Sequence, residues 1–200
     1  MNKYIDKYLD EAQRITKEID RESIEKTIKR ILVVKQKKGR IFFLGVGGSA
    51  ANCSHAVNDF RKIANFECYS PSDNSSELTA RINDDGWDST YKNWLLTSNI
   101  SKNDSIFIFS VGGGDIKRKI SMNIVEAIKL AKKKKSTIIS ITGPNGGFAK
   151  KNSNACLIVP VLNKSNITAI TESFQSIIWH LLVSHPDLKE KSMKWESILK

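Results

Sequence analysis

The chain is short of cysteine, of acidic residues and of unbroken apolar sequence, and each shortage closes off a class of protein. Cys53, Cys68 and Cys156 are the three cysteines; they form no CxxC pair and are odd in number. That usage fits a reducing compartment without a disulfide framework. No window approaches the roughly 18 consecutive apolar residues of a membrane span. The opening "MNKYIDKYLDEAQRITKEID" is charged throughout and lacks the apolar centre of a signal peptide, so the cytoplasm is expected and a membrane partner is not. Aromatic residues are 8% of the chain and are not interleaved with the basic ones, as a base-stacking surface would require. Nucleic acid is therefore not an expected partner.

The acidic shortage leaves 32 Lys and Arg against 21 Asp and Glu, a formal charge of +11. The lysine runs "KQKK" (35–38) and "KKKK" (132–135) fall where helices should end, and there they complement the helix dipole while staying solvated. The surplus suits an anionic small-molecule substrate. At 200 residues and 40% apolar composition, one soluble globular domain (1–200) is expected. Within it the reading is a helical segment over 1–38, a core over 40–185 and a polar tail over 186–200.

The core reads as alternating strands and helices. "RIFFLGV" (40–46), "FECYS" (66–70), "SIFIFSV" (105–111), "STIISIT" (136–142) and "ACLIVPV" (155–161) are strand-like. Helices are expected from about Ser49 to Ala64, at "SELTARI", over 89–98, over "ISMNIVEAIKLAKKKK" and over 168–184. The N-terminal segment carries helical spacing throughout, with Asp20 or Ser23 able to cap a second helix. Continuous apolar strands between helices specify an α/β fold, a three-layer sandwich around a mainly parallel sheet. In such sheets a ligand sits beyond the C-terminal strand ends. Three glycine-rich loops leave those ends here: "GVGGSA", "SVGGGD" and "TGPNGG". Glycines there let backbone approach a ligand closely.

"GVGGSA" also fits G-x-G-x-x-A, but a dinucleotide fold would begin with its strand and end its second strand in an acidic residue. Here a long helical segment comes first, and Glu67 opens its strand rather than closing it. Taken together, "GVGGSAANCSHAVNDF", "INDDGWD", "FSVGGG", "ITGPNGG" and the histidine of "TESFQSIIWHLL" resemble the SIS (sugar isomerase) domain, of phosphoheptose isomerase type. The resemblance covers about 40–185 and implies a flavodoxin- or Rossmann-like sheet. It implies an aldose–ketose isomerase acting on sedoheptulose 7-phosphate, or a close sugar phosphate, in heptose synthesis for surface polysaccharide. It also implies a homotetramer with sites at subunit interfaces and a zinc ion in each subunit.

Residue by residue, the resemblance puts Val46, Gly47, Gly48 and Ser49 in the substrate loop, Asn83 and Asp84 on the sugar, and Ser110, Val111, Gly112, Gly113 and Asp115 in the phosphate loop. Asp59, His180 and Glu172 are the expected acid/base residues, and His55, Asp59, Glu172 and His180 the expected metal ligands. Two departures stand out. Asp59 occupies a Glu position, one methylene shorter, and Glu172 occupies a Gln position, so either carboxylate is a candidate base. The loop "SVGGGD" lacks the family's hydroxyls, and Asp115 would repel a phosphate unless it turns outward. Backbone N–H groups of Gly112 to Gly114, with Lys117, Arg118 and Lys119 nearby, are the expected replacement. The competing expectation is a non-catalytic phosphosugar-binding sensor or a regulatory partner of an isomerase.

Moving a proton between adjacent carbons of a sugar needs a base, an acid and stabilisation of an enediolate. His55 and Asp59 at i, i+4 share a helix face, as do Glu172 and His180 at i, i+8, and a divalent ion would supply the stabilisation. His185, before Pro186, reads as structural. Trp87 and Trp94 read as packing residues.

Overall fold

The computed structural model describes residues 3–198. Two helices open it, α1 (Lys3–Glu18) and α2 (Arg21–Gln36). Asp20 separates them as an N-cap, accepting from the Glu22 amide at 3.0 Å and the Ser23 hydroxyl at 2.6 Å. Strand β1 (Ile41–Leu44), helix α3 (Gly48–Lys62) and strand β2 (Cys68–Tyr69) follow. Then come α4 (Ser75–Asp85), α5 (Thr90–Thr97), β3 (Ser105–Ser110) and α6 (Met122–Lys134). The chain continues through β4 (Thr137–Thr142), α7 (Gly147–Asn152), β5 (Ala155–Ile158), α8 (Ile167–Ser184) and α9 (Lys194–Ile198).

The five strands are all parallel, in the order β2-β1-β3-β4-β5. Register aligns Phe43 with Phe107 and Phe107 with Ile139, while Phe42, Ile106 and Ile138 form the adjacent row. Alternate side chains point to opposite faces, so these rows feed two cores. Phe43, Phe107 and Ile139 pack with α1, α2, α3 and α8 through Ile15, Ile31, Phe60 and Trp179. Phe42, Ile106 and Ile138 pack with α5, α6 and α7 through Tyr91, Leu95, Ile128 and Ala149. This is the expected three-layer α/β sandwich. The sheet grows one way from β1 to β2 and the other way from β3 to β5. Right-handed crossovers then put α3 and α6 on opposite faces and leave a crevice where the order reverses, between β1 and β3.

Element limits differ from the sequence reading where the backbone loses partners. β2 keeps two residues and β5 stops before Pro160, which cannot donate to a ladder. α4 extends well past "SELTARI" because no breaker interrupts it before Gly86, which closes it at φ 78°. The tail is less detached than its polarity suggests. Leu188 is fully buried, Lys35 Nζ lies 2.6 Å from Glu190 Oε1, and α9 forms beyond. As expected, the lysine runs fall at helix C-termini: Lys35 is in the last turn of α2 with Lys37 as its C-cap, and Lys132 to Lys134 are in the last turn of α6 with Lys135 as its C-cap. Among the described residues, no helix is long and apolar enough to cross a membrane.

Candidate active site

α3 and α8 lie side by side and meet in matching order along their lengths. Asn52 Nδ2 donates to the Glu172 carbonyl (2.9 Å) and to Gln175 Oε1 (3.2 Å). Further along, the His55 ring meets Trp179 with centroids 4.7 Å apart, and Asp59 meets His180. The pairing brings His55, Asp59 and His180 into one group whose candidate ligand atoms all lie within 4.8 Å of one another. Asp59 Oδ2 is 3.8 Å from Nε2 of both histidines, too far for hydrogen bonds but suited to ligands around a shared ion. Its other oxygen accepts from Asn58 Nδ2 at 2.7 Å. His180 Nδ1 sits 2.8 Å from the Ser176 carbonyl. A proton on Nδ1 satisfies that contact and leaves the Nε2 lone pair facing Asp59 and His55.

Two imidazoles and one carboxylate make a three-residue donor set that fits a divalent ion with a position left for substrate. His55 is more than half exposed, so the group is open to a ligand, whereas the Asp59 side chain is 14% exposed. Trp179, fully buried, lies against both rings, its centroid 3.5 Å from that of His180. Sequence reasoning did not single it out. An aromatic beside a histidine in an apolar helix run looks like any core residue.

Glu172 does not join this group, which corrects the four-ligand set. It shares a helix face with His180, but eight residues at 1.5 Å rise put about 12 Å between them along the axis. Its carboxylate instead lies at the N-terminus of α3, where Ser49 Oγ is 3.5 Å from Oε1. A Cβ on Gly48 would come within 2.4 Å of Glu172 Oε2, so the second glycine of "GVGGS" makes room for this carboxylate. Gly47 has φ +61°, a conformation that favours glycine, and caps the helix. The helix dipole favours a negative charge there.

Glu172 also lines the crevice at the sheet's switch point, a space of about 320 Å³. Val46 and Ser49 enter it from the β1 loop, and Ser110, Val111 and Gly112 from the β3 loop. Ile120 and Ser121, before α6, complete it; the Ser121 side chain makes no cap hydrogen bond to that helix, and no local sequence signal marked it. Tyr91 holds the β1 loop from beneath, its hydroxyl donating to the Gly45 carbonyl at 2.5 Å, and burial pushes its phenol up so that the donor stays protonated. Burial likewise pushes the Cys53 thiol far up, which leaves it unsuited to nucleophilic work.

The "SVGGGD" loop departs from its expected role. Ser110 Oγ accepts from the Gly113 amide at 3.0 Å, and the Gly113 and Gly114 carbonyls accept from Ala149 and Phe148 at the start of α7. A Cβ on Gly113 would lie 2.0 Å from the Gly146 carbonyl oxygen. These glycines thus dock one loop on the next. Residues 115–121 separate them from α6, so that helix begins well beyond them. Asp115 lies outside the crevice; it pairs with Ile120 through the backbone and accepts from the Arg118 amide at 3.0 Å.

Asn83 and Asp84 end α4 on the exposed surface, Asn83 Nδ2 donating to Asp84 at 2.8 Å, and neither lines the crevice of its own chain. His185 accepts from the Asp187 amide at 3.2 Å, a turn-capping role that matches its structural reading. Trp94 is buried in the second core and Trp87 lies against Tyr91, 6.1 Å between centroids.

The fold and site define a class that comparison with known proteins identifies: the SIS domain family pattern matches residues 3–143, and the chain belongs to that family, in its phosphoheptose isomerase type. The chain is 32% identical to a phosphoheptose isomerase of Buchnera aphidicola over 178 residues, covering 82% of this chain and 83% of that one. It is 27% identical over 158 residues to the lincomycin biosynthesis protein LmbN of Streptomyces lincolnensis, of which it spans 56%. The structure of the Neisseria gonorrhoeae phosphoheptose isomerase GmhA superposes with a TM-score of 0.79 at 22% identity, over 90% of this chain and 95% of that chain.

Proposed function

We propose that this chain is a sugar-phosphate isomerase that interconverts ketose and aldose by proton transfer between adjacent carbons, with sedoheptulose 7-phosphate the first candidate substrate. The observation that carries the proposal is the convergence of His55, Asp59 and His180 on α3 and α8, the two helices that also carry Ser49 and Glu172 into a glycine-loop crevice. Relatives named phosphoheptose isomerase along most of both chains support it. Heptose synthesis is the matching pathway, and the cytoplasm the matching compartment.

In this reading the sugar lies along the α3–α8 groove with its carbonyl end at the histidines. Asp59 is held by Asn58 on one oxygen, so its other oxygen is the one free to take the proton. His180, with Nδ1 committed to the Ser176 carbonyl, exchanges protons with the sugar oxygen through Nε2. A zinc ion on His55, Asp59 and His180 would supply Lewis-acid stabilisation of the enediolate in place of proton transfer at His180 Nε2, because a ring nitrogen that ligates an ion carries no proton. Glu172, displaced from that group, hydrogen-bonds sugar hydroxyls in the crevice, and it becomes the base only where the carbonyl end lies in the crevice rather than at the histidines.

One whole chain forms the unit, and copies of it assemble as a homotetramer. Apolar residues left exposed on α1 (Tyr4, Ile5, Leu9) and on α8 beside His180 (Ile177, Leu181) support that assembly. Asn83 and Asp84, away from their own crevice, then serve a neighbouring copy. A coupled assay of zinc-loaded protein on sedoheptulose 7-phosphate tests the proposal. Turnover that collapses in Asp59→Ala and His180→Ala while bound zinc is retained establishes the acid/base pair, and loss only in His180→Ala moves the base from Asp59 to another group, with Glu172 first in line. Saturable binding without turnover would instead favour the sensor or regulatory-partner reading.

A further inference from the structure

The two histidines of the site are held in different ways. His180 Nδ1 lies 2.8 Å from the Ser176 carbonyl, a contact that fixes the turn of its ring. Among the described residues no hydrogen bond reaches the His55 ring, and its side chain is 56% exposed. A side chain with that freedom visits several rotamers, and ordering it on binding costs affinity. What does touch the His55 ring is aromatic. Trp179 lies 4.7 Å away between centroids with the planes at 66°, and His180 lies 5.2 Å away at 87°.

Trp179 joins the histidines to the core. It is fully buried in the cluster that holds Phe60, Ile178 and Leu182, and its ring stacks on His180 at 3.5 Å and 28°. Three rings thus form one unit whose anchor lies in close-packed interior, where side chains hold their rotamers. The indole also carries a cost. Its Nε1 is buried without a hydrogen-bond partner, although a buried indole usually finds one. Filling the volume with apolar atoms would strand no donor, so filling space does not by itself account for tryptophan here.

Building on the reading that His55, Asp59 and His180 gather a divalent ion, we infer that Trp179 is the positioning residue of that group. It sets the His55 and His180 planes nearly perpendicular, with both Nε2 atoms toward Asp59, before an ion arrives. It does for His55 what the Ser176 carbonyl does for His180. The role needs a flat ring: a branched aliphatic side chain can fill the core but cannot hold two imidazole planes at a set angle. Trp179 acts through the histidines and takes no part in the chemistry itself.

The test reads metal binding without turnover. Cobalt(II), whose visible absorption reports its coordination, is titrated into chelator-treated wild type, Trp179→Phe, Trp179→Leu and Phe107→Leu. The last is a core control, since the Phe107 ring contacts Phe43 and Phe109 rather than the histidines. Affinity should fall about tenfold or more in Trp179→Leu and stay within about threefold of wild type in Trp179→Phe, which keeps a flat ring. Phe107→Leu should bind as wild type does, with the same spectrum. Equal affinity in Trp179→Leu and wild type, or an equal loss in Phe107→Leu, would overturn the inference. A second measurement needs no variant to fold. In metal-free wild type, nuclear Overhauser contacts between the His55 ring and the Trp179 indole are expected, and their absence would overturn the positioning role. No cobalt bound by wild type would overturn the inference together with the metal reading beneath it. Cobalt bound with the expected dependence but no sugar turned over would leave Trp179 in its role and defeat the isomerase reading. Turnover with cobalt affinity indifferent to Trp179→Leu would do the reverse.

Discussion

The two ends of the sheet treat polar groups in opposite ways. At the N-terminal end Asp104, 3% exposed, accepts from the Arg40 amide, from Arg40 Nε and Nη2, and from the amide and hydroxyl of Ser101. Every lone pair there has a donor. At the C-terminal end Glu172 faces a crevice across a glycine, and farther down the α3–α8 seam that starts there His55 and His180 direct Nε2 toward Asp59 without reaching it. One end is closed on itself and specifies the fold; the other leaves its charges unfinished until a ligand arrives. The separation lets loop chemistry change without undoing the sheet.

Substitutions at the two ends should therefore fail differently. His180→Ala should lower kcat by about 10²–10⁴, the usual contribution of a positioned acid or base. Its melting temperature should barely move, because the side chain is 40% exposed. A melting temperature that falls with activity would erase the contrast. Asp104→Ala should do the opposite, costing about 1–3 kcal/mol by leaving the Ser101 and half-buried Arg40 donors without their acceptor, while folded protein keeps its kcat/KM.

Asp104 also sets an acid limit. Burial would raise its carboxyl, but the Arg40 and Ser101 donors together hold it below the usual Asp range. With the folded value the lower one, its stabilisation is complete above the unfolded value and is lost as pH falls through the folded value. Urea midpoints followed into acid should drop less steeply in Asp104→Asn than in the wild type. An equal drop would assign the acid limb to other carboxylates, Glu11 first; burial there is outweighed by its Asn166, Asn163 and Leu162 donors.

Gly48→Ala sharpens the comparison from within the site. The added methyl displaces a flexible Glu172 rather than backbone, so stability should hold while kcat/KM falls by about 100-fold, the scale of a 1 Å misplacement. Unchanged kinetics would remove Glu172 from function. The smallest effect is expected of Tyr91→Phe, which strands the Gly45 carbonyl and should cost about 1 kcal/mol in denaturant titration.

Much of this was legible because it is local. Apolar runs such as "SIFIFS" between capped helices could be little else than buried parallel strands, and Asp20 announced the break between α1 and α2. His55 and Asp59, one turn apart, were readable as a pair. What could not be read depends on how far apart things lie in space. Periodicity placed Glu172 and His180 on one face a little over two turns apart, but which of them meets His55 and Asp59 depends on how α3 and α8 pack. Lys117 and Lys151 are separated by two elements, and nothing local announces that the glycines of two loops dock and bring them to one cavity. The same docking explains why "SVGGGD" looked like a damaged phosphate loop.

The most direct test of the central claim is deuterium incorporation at the carbon next to the carbonyl, with sedoheptulose 7-phosphate and zinc-loaded protein in D₂O, followed by NMR. Solvent deuterium appearing there at a rate that collapses in Asp59→Ala and His180→Ala is the predicted result. No incorporation by the wild type under saturating sugar phosphate would contradict proton transfer at this site.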